Sequence, residues 1–194
     1  MKNFLQIAQN AAVLPLMLAI QRMDKSHGIW KEDTYLRDYP QGPFGNTESI
    51  ILRFPDRSVH QTEEALKDHL ANFDQHENYD QPIFKTLSEA RVLVYNLMAA
   101  VQGERLGRVM INKLNPGGVI FPHADTPVHA EYWDRFHIVL QSAPGSNFRA
   151  GYERVHMKTG DIWWFNNRIE HEVVNNSDTE RIHMIVDIRT SKPC

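Results

Sequence analysis

The chain has 194 residues, of which 42% are hydrophobic and 23% are charged, a composition typical of a globular domain and not of a disordered chain. Lys and Arg number 21 against 24 Asp and Glu, a formal net charge of -3, and this balance argues against a broad surface for nucleic acid or anionic membranes. The single cysteine, Cys194, excludes a disulfide framework within one chain and a cysteine-rich zinc module.

The first predicted element is a helix over residues 4–23, in which Pro15 marks a kink or a break. The apolar run over residues 11–20 (AAVLPLMLAI) is too short to span a bilayer. No small-residue cleavage site follows it, so a secretory signal is not expected. We therefore expect a cytoplasmic protein with no membrane partner.

The remainder of the first half predicts one strand and two further helices. Residues 49–54 (SIILRF) have the composition of a short buried strand. Thr62 is the predicted N-cap of a helix that ends near residue 73. Residues 83–101 place apolar side chains along one face of another helix.

From residue 106 onward, short strands alternate with turn sequences such as Asn115-Pro116-Gly117-Gly118. The predicted strands are 107–114, 119–122, 134–141, 147–149, 153–158, 162–165, 171–175 and 181–189. This spacing predicts an α+β fold whose core is a double-stranded β-helix of the jelly-roll or cupin type, with the N-terminal helices packed on one sheet. We expect a single domain over 1–194, in which 1–105 supports a catalytic core at 106–190.

The last predicted strand alternates between an apolar face and a face that is polar except at Ile185. Ile182, Met184 and their alternate neighbours form an apolar face that should pack under the helices. The opposite face carries Arg181 and His183 into the barrel. A buried arginine is costly unless it is solvated or holds an anion, so this face predicts a solvated cup or an anion site.

Ten histidines are the unusual feature of the composition. In His123-Ala124-Asp125 the imidazole and the carboxylate project to the same side of an extended segment. A distal His171 would complete a set of two histidines and one carboxylate, which non-haem Fe(II) favours because three coordination positions stay open. Glu131 competes for the carboxylate role. Taken alone, the tripeptide does not distinguish metal ligands from hydrogen-bonded loop histidines.

Several motifs between residues 112 and 187 occur together in one order. They are Asn115-Pro116-Gly117 before Pro122-His123, the run Arg135-Phe136-His137-Ile138-Val139-Leu140, the run Gly160-Asp161-Ile162-Trp163-Trp164-Phe165-Asn166, His171-Glu172-Val173, Arg181, and Ile185-Val186-Asp187. In order and spacing, this region resembles the aspartyl/asparaginyl β-hydroxylase-like family of 2-oxoglutarate- and Fe(II)-dependent oxygenases. The resemblance includes the family's ten-residue step from His171 to Arg181.

The resemblance implies a role for each matching residue. His123 and His171 would be iron ligands, and Arg181 would pair with the distal carboxylate of 2-oxoglutarate through its planar fork. Several family members lack a ligand carboxylate, whereas this chain has Asp125, as do free-amino-acid (proline) hydroxylases of similar fold. The residues that would line the cosubstrate and substrate pocket are Arg135, His137, Asn112 and His183.

The resulting prediction is a dioxygenase that uses Fe(II), 2-oxoglutarate and O₂ to hydroxylate a C–H bond, releasing succinate and CO₂. The expected substrate is an amino acid, a peptide residue or another small polar molecule, and residues 35–54 should border its entrance. Nucleic acid is not an expected partner, and the sequence does not indicate an oligomeric state. The alternatives are a cupin-type isomerase or hydrolase that uses another metal, and a non-enzymatic β-sandwich binding module.

Overall fold

Two antiparallel sheets form the core of the computed structural model, which describes residues 2–38, 42–57, 62–72 and 74–191. The strands are β1 (Phe4–Ala8), β2 (Thr47–Phe54), β3 (Tyr79–Asp80), β4 (Gly103–Leu114), β5 (Val119–His123), β6 (Asp134–Gln141), β7 (Ser146–Ala150), β8 (Glu153–Val155), β9 (Ile162–Phe165), β10 (His171–Asn175) and β11 (Arg181–Thr190). The larger sheet has the order β1-β9-β6-β11-β4-β2-β3, and the smaller has the order β5-β10-β7-β8. The predicted double-stranded β-helix is confirmed.

The helices are α1 (Leu14–His27), α2 (Tyr35–Asp38), α3 (Glu63–Asn72), α4 (Pro82–Thr86), α5 (Ser88–Ala100) and α6 (Pro127–Tyr132), with a short 3-10 turn at Ile29–Lys31. Helices α1 and α5 cover the outer face of the larger sheet, where Leu16 and Leu97 pack in one cluster with Met184 and Val186 of β11. This arrangement confirms the predicted apolar face of the last strand and the position of the N-terminal helices. Thr62 caps α3 as predicted, because its hydroxyl accepts a hydrogen bond from the Ala65 N–H at 3.2 Å.

A second apolar cluster lies between the two sheets. Phe4, Phe148 and Phe165 pack there with Val139 and Val173. Phe4 reaches this cluster because β1 pairs with β9, with Phe4 opposite Phe165. The space between the two sheets is thus partly filled by this apolar cluster, and the polar site described below lies beside it.

Two predicted helices differ from the structure. Residues 4–8 form strand β1 rather than the start of a helix, because their backbone pairs with β9 far along the chain. Helix α1 begins at Leu14 with Pro15 in its first turn, where proline costs no hydrogen bond. The helix predicted over 83–101 is divided into α4 and α5 at Leu87, whose φ and ψ of -87° and 68° are not helical.

The first 105 residues also supply β1, β2 and β3 to the larger sheet. The division into a supporting segment at 1–105 and a catalytic core at 106–190 stays a prediction. Among the described residues, no helix is long and apolar enough to cross a membrane.

Candidate metal centre

Three potential metal ligands meet at the ends of two neighbouring strands of the smaller sheet. His123 ends β5 and His171 begins β10, and the two are direct partners in the antiparallel register. Their ring centroids lie 4.3 Å apart. Asp125 follows β5 by two residues, and the candidate ligand atoms of the three side chains all lie within 4.8 Å of one another.

Each histidine ring is oriented by a carbonyl of its own segment. Nδ1 of His123 donates to the carbonyl oxygen of Phe121 at 2.7 Å, and Nδ1 of His171 donates to that of Ile169 at 2.9 Å. A carbonyl oxygen only accepts, so the ring proton occupies Nδ1 and Nε2 keeps its lone pair. Both rings are therefore in the tautomer that a metal bound through Nε2 requires.

The environment also keeps these rings neutral at pH 7. Burial lowers the pKa of His123 below its ordinary value. Burial and the neighbouring His123 ring lower the pKa of His171 to about 4. A neutral imidazole is the form that binds a metal, so the site does not have to lose a proton from either ring.

Two side chains fix the orientation of Asp125 by donating hydrogen bonds to one of its carboxylate oxygens. Oδ2 accepts hydrogen bonds from Nη1 of Arg135 at 2.7 Å and from Nδ2 of Asn167 at 2.8 Å. The Asp125 N–H also donates to the Asn167 carbonyl at 3.2 Å. Burial alone raises the pKa of Asp125, but Arg135, His171 and Asn167 lower it, and the net pKa lies below the ordinary value. Glu131, the competing carboxylate, is exposed on α6 and is not part of the cluster.

Arg135 joins Asp125 to a second buried carboxylate. Its Nε and Nη2 donate to the two oxygens of Asp187 at 2.7 and 3.0 Å, a two-pronged geometry. His129 Nε2 lies 3.0 Å from Oδ2 of the same carboxylate. Burial raises the pKa of Asp187, but Arg135 and His129 outweigh it and hold the pKa well below the ordinary value. Arg135 is therefore shared between two carboxylates.

A separate polar cluster lies in the barrel on the larger sheet. Arg181 Nη2 lies 3.0 Å from Nδ1 of His183, which in turn lies 3.3 Å from Nδ1 of His137. Asn112 is the register partner of His183 on β4. Burial lowers the pKa of Arg181 to about 9, and no ion pair of Arg181 occurs within the described part of the chain.

The protons of this cluster follow from what each group can donate. An arginine only donates, so Nδ1 of His183 accepts and its ring proton occupies Nε2. Nε2 of His183 and Nδ2 of Asn112 are both buried donors without a partner among the described residues. Arg181 and these two groups are thus three buried donors on the same strand pair, a set that favours an acceptor-only group such as a carboxylate.

The metal cluster opens into a small cavity of about 70 Å³. Its wall includes His123 and His171, together with Arg135, His137 and apolar side chains that include Phe44 and Phe148. His137 connects this cavity to the deeper donor cluster through its contact with His183. The structure thus brings all eight sequence-predicted site residues into two adjoining groups.

The expected entrance segment also borders the site, but with different residues. Leu36, Phe44 and Phe54 line the cavity. The two arginines of this segment are engaged elsewhere, Arg37 with Asp38 and Arg53 with Asp80. Residues 39–41 lie outside the described residues.

The sequence analysis assigned no site role to four polar residues that the structure places there. Asn167, Asp187 and His129 hold Asp125 and Arg135, and Arg108 lines the cavity. Only Asp187 had a usable signal, since alternation in the last strand places it on the same inward face as Arg181.

Comparisons with known proteins show which family the chain resembles. Residues 59–191 match the family model for aspartyl/asparaginyl beta-hydroxylase. An L-proline cis-4-hydroxylase from Rhizobium meliloti (strain 1021) is 28% identical over 149 residues, which cover 76% of this chain and 49% of that protein. The chain thus spans about half the length of this curated relative.

Solved structures share the fold at low sequence identity. HygX from Streptomyces hygroscopicus, with nickel and 2-oxoglutarate bound, superposes with a TM-score of 0.55 at 13% identity, covering 97% of this chain and 83% of that chain. The viral collagen prolyl hydroxylase vCPH from Paramecium Bursaria Chlorella virus-1, in its 2OG complex, gives a TM-score of 0.51 at 12% identity, covering 97% of both chains.

Proposed function

The chain belongs to the aspartyl/asparaginyl β-hydroxylase family, and from that premise we propose that it is an Fe(II)- and 2-oxoglutarate-dependent dioxygenase. It hydroxylates a C–H bond of an amino acid, a peptide residue or another small polar substrate. The relative named L-proline cis-4-hydroxylase supports this reaction class. The observation that carries the proposal is the cluster of His123, Asp125 and His171, together with the buried, unpartnered donors of Asn112 and His183 near Arg181.

The three clustered residues would hold the metal. Two neutral imidazoles with Nε2 lone pairs and one ionised carboxylate form the donor set that suits non-haem Fe(II). When bound, the iron would couple the oxidative decarboxylation of 2-oxoglutarate to hydroxylation by O₂, with release of succinate and CO₂. Arg135 and Asn167 act on Asp125 as positioning residues, since they fix one of its two oxygens and so orient the other.

The buried donors would hold the distal carboxylate of 2-oxoglutarate. Arg181 supplies a planar fork and a positive charge that has no acidic partner in the described part of the chain. Nε2 of His183 and Nδ2 of Asn112 supply further donors, and His137 lies between this group and the cavity. The carboxylate would satisfy three groups whose burial is otherwise unfavourable.

We propose that the binding partner is this small or peptidic substrate. We do not propose nucleic acid as a partner. We propose the cytoplasm as the compartment. A chain with a single cysteine cannot form an internal disulfide, so an oxidising compartment would give it no added stability of that kind.

Anaerobic titration with Fe(II) and 2-oxoglutarate tests the assignment. We expect a visible charge-transfer band in the native protein and succinate release on admission of O₂. His171→Ala should abolish the band. His27→Ala is the matched control, because that ring is exposed at the C-terminal end of α1 and does not line the cavity. A native protein that binds Fe(II) but shows no band with 2-oxoglutarate would instead favour a cupin-type enzyme.

A further inference from the structure

A second arginine, Arg108 on β4, faces the same cavity as the candidate ligands. It also lines an outer cleft of about 440 Å³ that includes Tyr35, Asp56 and Gln75. The cavity and the cleft share Arg108 and the apolar side chains Leu36, Phe44 and Phe54. Arg108 therefore lies where the opening to solvent narrows toward His123 and His171.

Unlike Arg135, Arg108 has no carboxylate partner among the described residues. The described residues provide no ion pair or hydrogen bond to its guanidinium, and its Nε is buried without an acceptor. The contact that it does make is with the ring of Phe54, whose centroid lies 5.0 Å from Cζ. The nearby Asp187 already forms an ion pair with Arg135, which donates to both of its oxygens.

This difference between the two arginines decides which one can bind an incoming anion. Arg135 is already held by Asp125 and Asp187, so an anion there would compete with two buried carboxylates. Arg108 carries a partly desolvated charge at which a carboxylate would gain a charge-assisted, two-pronged contact. The three apolar side chains beside it suit the carbon skeleton of a small organic acid.

We propose that Arg108 is the substrate-carboxylate site, and that the molecule oxidised by this protein is a carboxylate whose acid group is held by Arg108 and whose carbon skeleton lies against Leu36, Phe44 and Phe54. The inference rests on the proposed oxygenase function. The carboxylate could belong to a free amino acid or to an acidic residue of a peptide, and the experiment separates these sources.

The experiment measures binding rather than turnover. The protein is loaded anaerobically with Fe(II) and 2-oxoglutarate, and the charge-transfer band is recorded first. Calorimetric titration then uses the free amino acids, the amides of those that bind, and N-acetyl-aspartate amide as the peptide-like probe. Arg108→Met is compared with Arg108→Lys and with Arg105→Met, a control on the same strand whose Nη1 donates to the Tyr132 hydroxyl at 2.9 Å.

We expect at least one carboxylate probe to bind the native protein more tightly than its neutral counterpart. Arg108→Met should weaken that binding roughly tenfold to a hundredfold, the range for a hydrogen bond to a charged group, and Arg108→Lys should recover part of it. Arg105→Met should leave it unchanged. If only the affinity for free amino acids depends on Arg108, the carboxylate belongs to a free amino acid. If only the affinity for N-acetyl-aspartate amide depends on Arg108, it belongs to an acidic residue of a peptide.

Two results would overturn the proposal. One is a native protein in which no carboxylate probe binds better than its amide, and the other is a carboxylate affinity that Arg108→Met does not change. In both cases a normal charge-transfer band leaves the oxygenase assignment intact, whereas a missing band in the native protein refutes that assignment separately.

The melting temperature of the metal-free protein distinguishes a ligand-binding role of Arg108 from a purely structural one. Because Arg108 is partly buried without an acceptor for Nε, its replacement by methionine should leave the melting temperature of the metal-free protein unchanged or raise it. A clear fall in the melting temperature, with unchanged carboxylate affinity in the milder Arg108→Lys variant, would assign Arg108 a structural role instead.

Discussion

At the scale of single residues, Arg181 is the most direct test of the cosubstrate. Arg181→Lys keeps the positive charge but loses the planar fork that two carboxylate oxygens require. We expect 2-oxoglutarate affinity to fall by about 2 kcal/mol or more, which is roughly thirtyfold. The affinity for Fe(II) alone should hardly change, because the three candidate ligands are untouched. Parallel titrations of metal and cosubstrate check both values, and a selective loss of iron binding would contradict the assignment.

The ion pair of Arg135 and Asp187 contributes to stability rather than to ligand binding, because it is buried and both oxygens of Asp187 already accept from Arg135. Asp187→Asn would leave Arg135 short of a counter-ion in the interior, so we expect a loss of about 3–5 kcal/mol in the free energy of unfolding. Urea denaturation of the metal-free protein measures this loss. Asp178→Asn, at an exposed position, is the matched control and should be neutral. An unfolding free energy that Asp187→Asn leaves unchanged would show that the pair contributes little.

At the scale of elements, strand β1 supports the wall of the metal site. Phe4 contacts Phe148 and Phe165, with ring centroids 5.4 and 6.3 Å apart, and those two rings pack against His171. Phe4→Ala should lower the free energy of unfolding by about 3–5 kcal/mol and weaken metal binding. Leu5→Ala is the control on the same strand, since Leu5 is 45% exposed. Equal losses for the two variants, measured by urea denaturation, would contradict this role of β1.

Local patterns in the sequence predicted those elements whose partners are close along the chain. The strands predicted from residue 107 onward alternate clearly and are separated by turns, so their approximate positions and the inward face of Arg181 followed directly. Strand β1 was missed because its pairing with β9 joins Phe4 to Phe165, and its apolar spacing merges locally with α1. Family motifs predicted the candidate triad of His123, Asp125 and His171, whose side chains the structure brings together. The hydrogen bond from Asn167 to Asp125 was not predicted, because it depends on a loop contact that no local pattern encodes.

At the scale of the whole molecule, the barrel interior keeps several histidines uncharged. Burial, aided by neighbouring cations, lowers the pKa of His137 and His183 well below the ordinary value and lowers those of His123 and His171 as well. In the unfolded chain these rings would titrate near pH 6.5. Between the two sets of values the unfolded chain binds more protons than the folded protein, so the free energy of unfolding must rise with pH.

This difference predicts how the metal-free protein responds to acid. Its stability should fall as the pH is lowered from about 6.5 towards the pKa of His171 at about 4, and it should change little between pH 7 and 8. Urea denaturation at pH 5, 6 and 7 measures the slope. His171→Ala should reduce the slope, because it removes one ring that must stay neutral in the fold, whereas His27→Ala, on the exposed end of α1, should not. A metal that binds only the folded protein adds stability by mass action, and this gain should be larger at pH 7 than at pH 5, because at pH 5 protons compete for the ligand nitrogens. A metal-free protein whose stability is constant from pH 5 to 7 would show that the interior histidines are not held neutral.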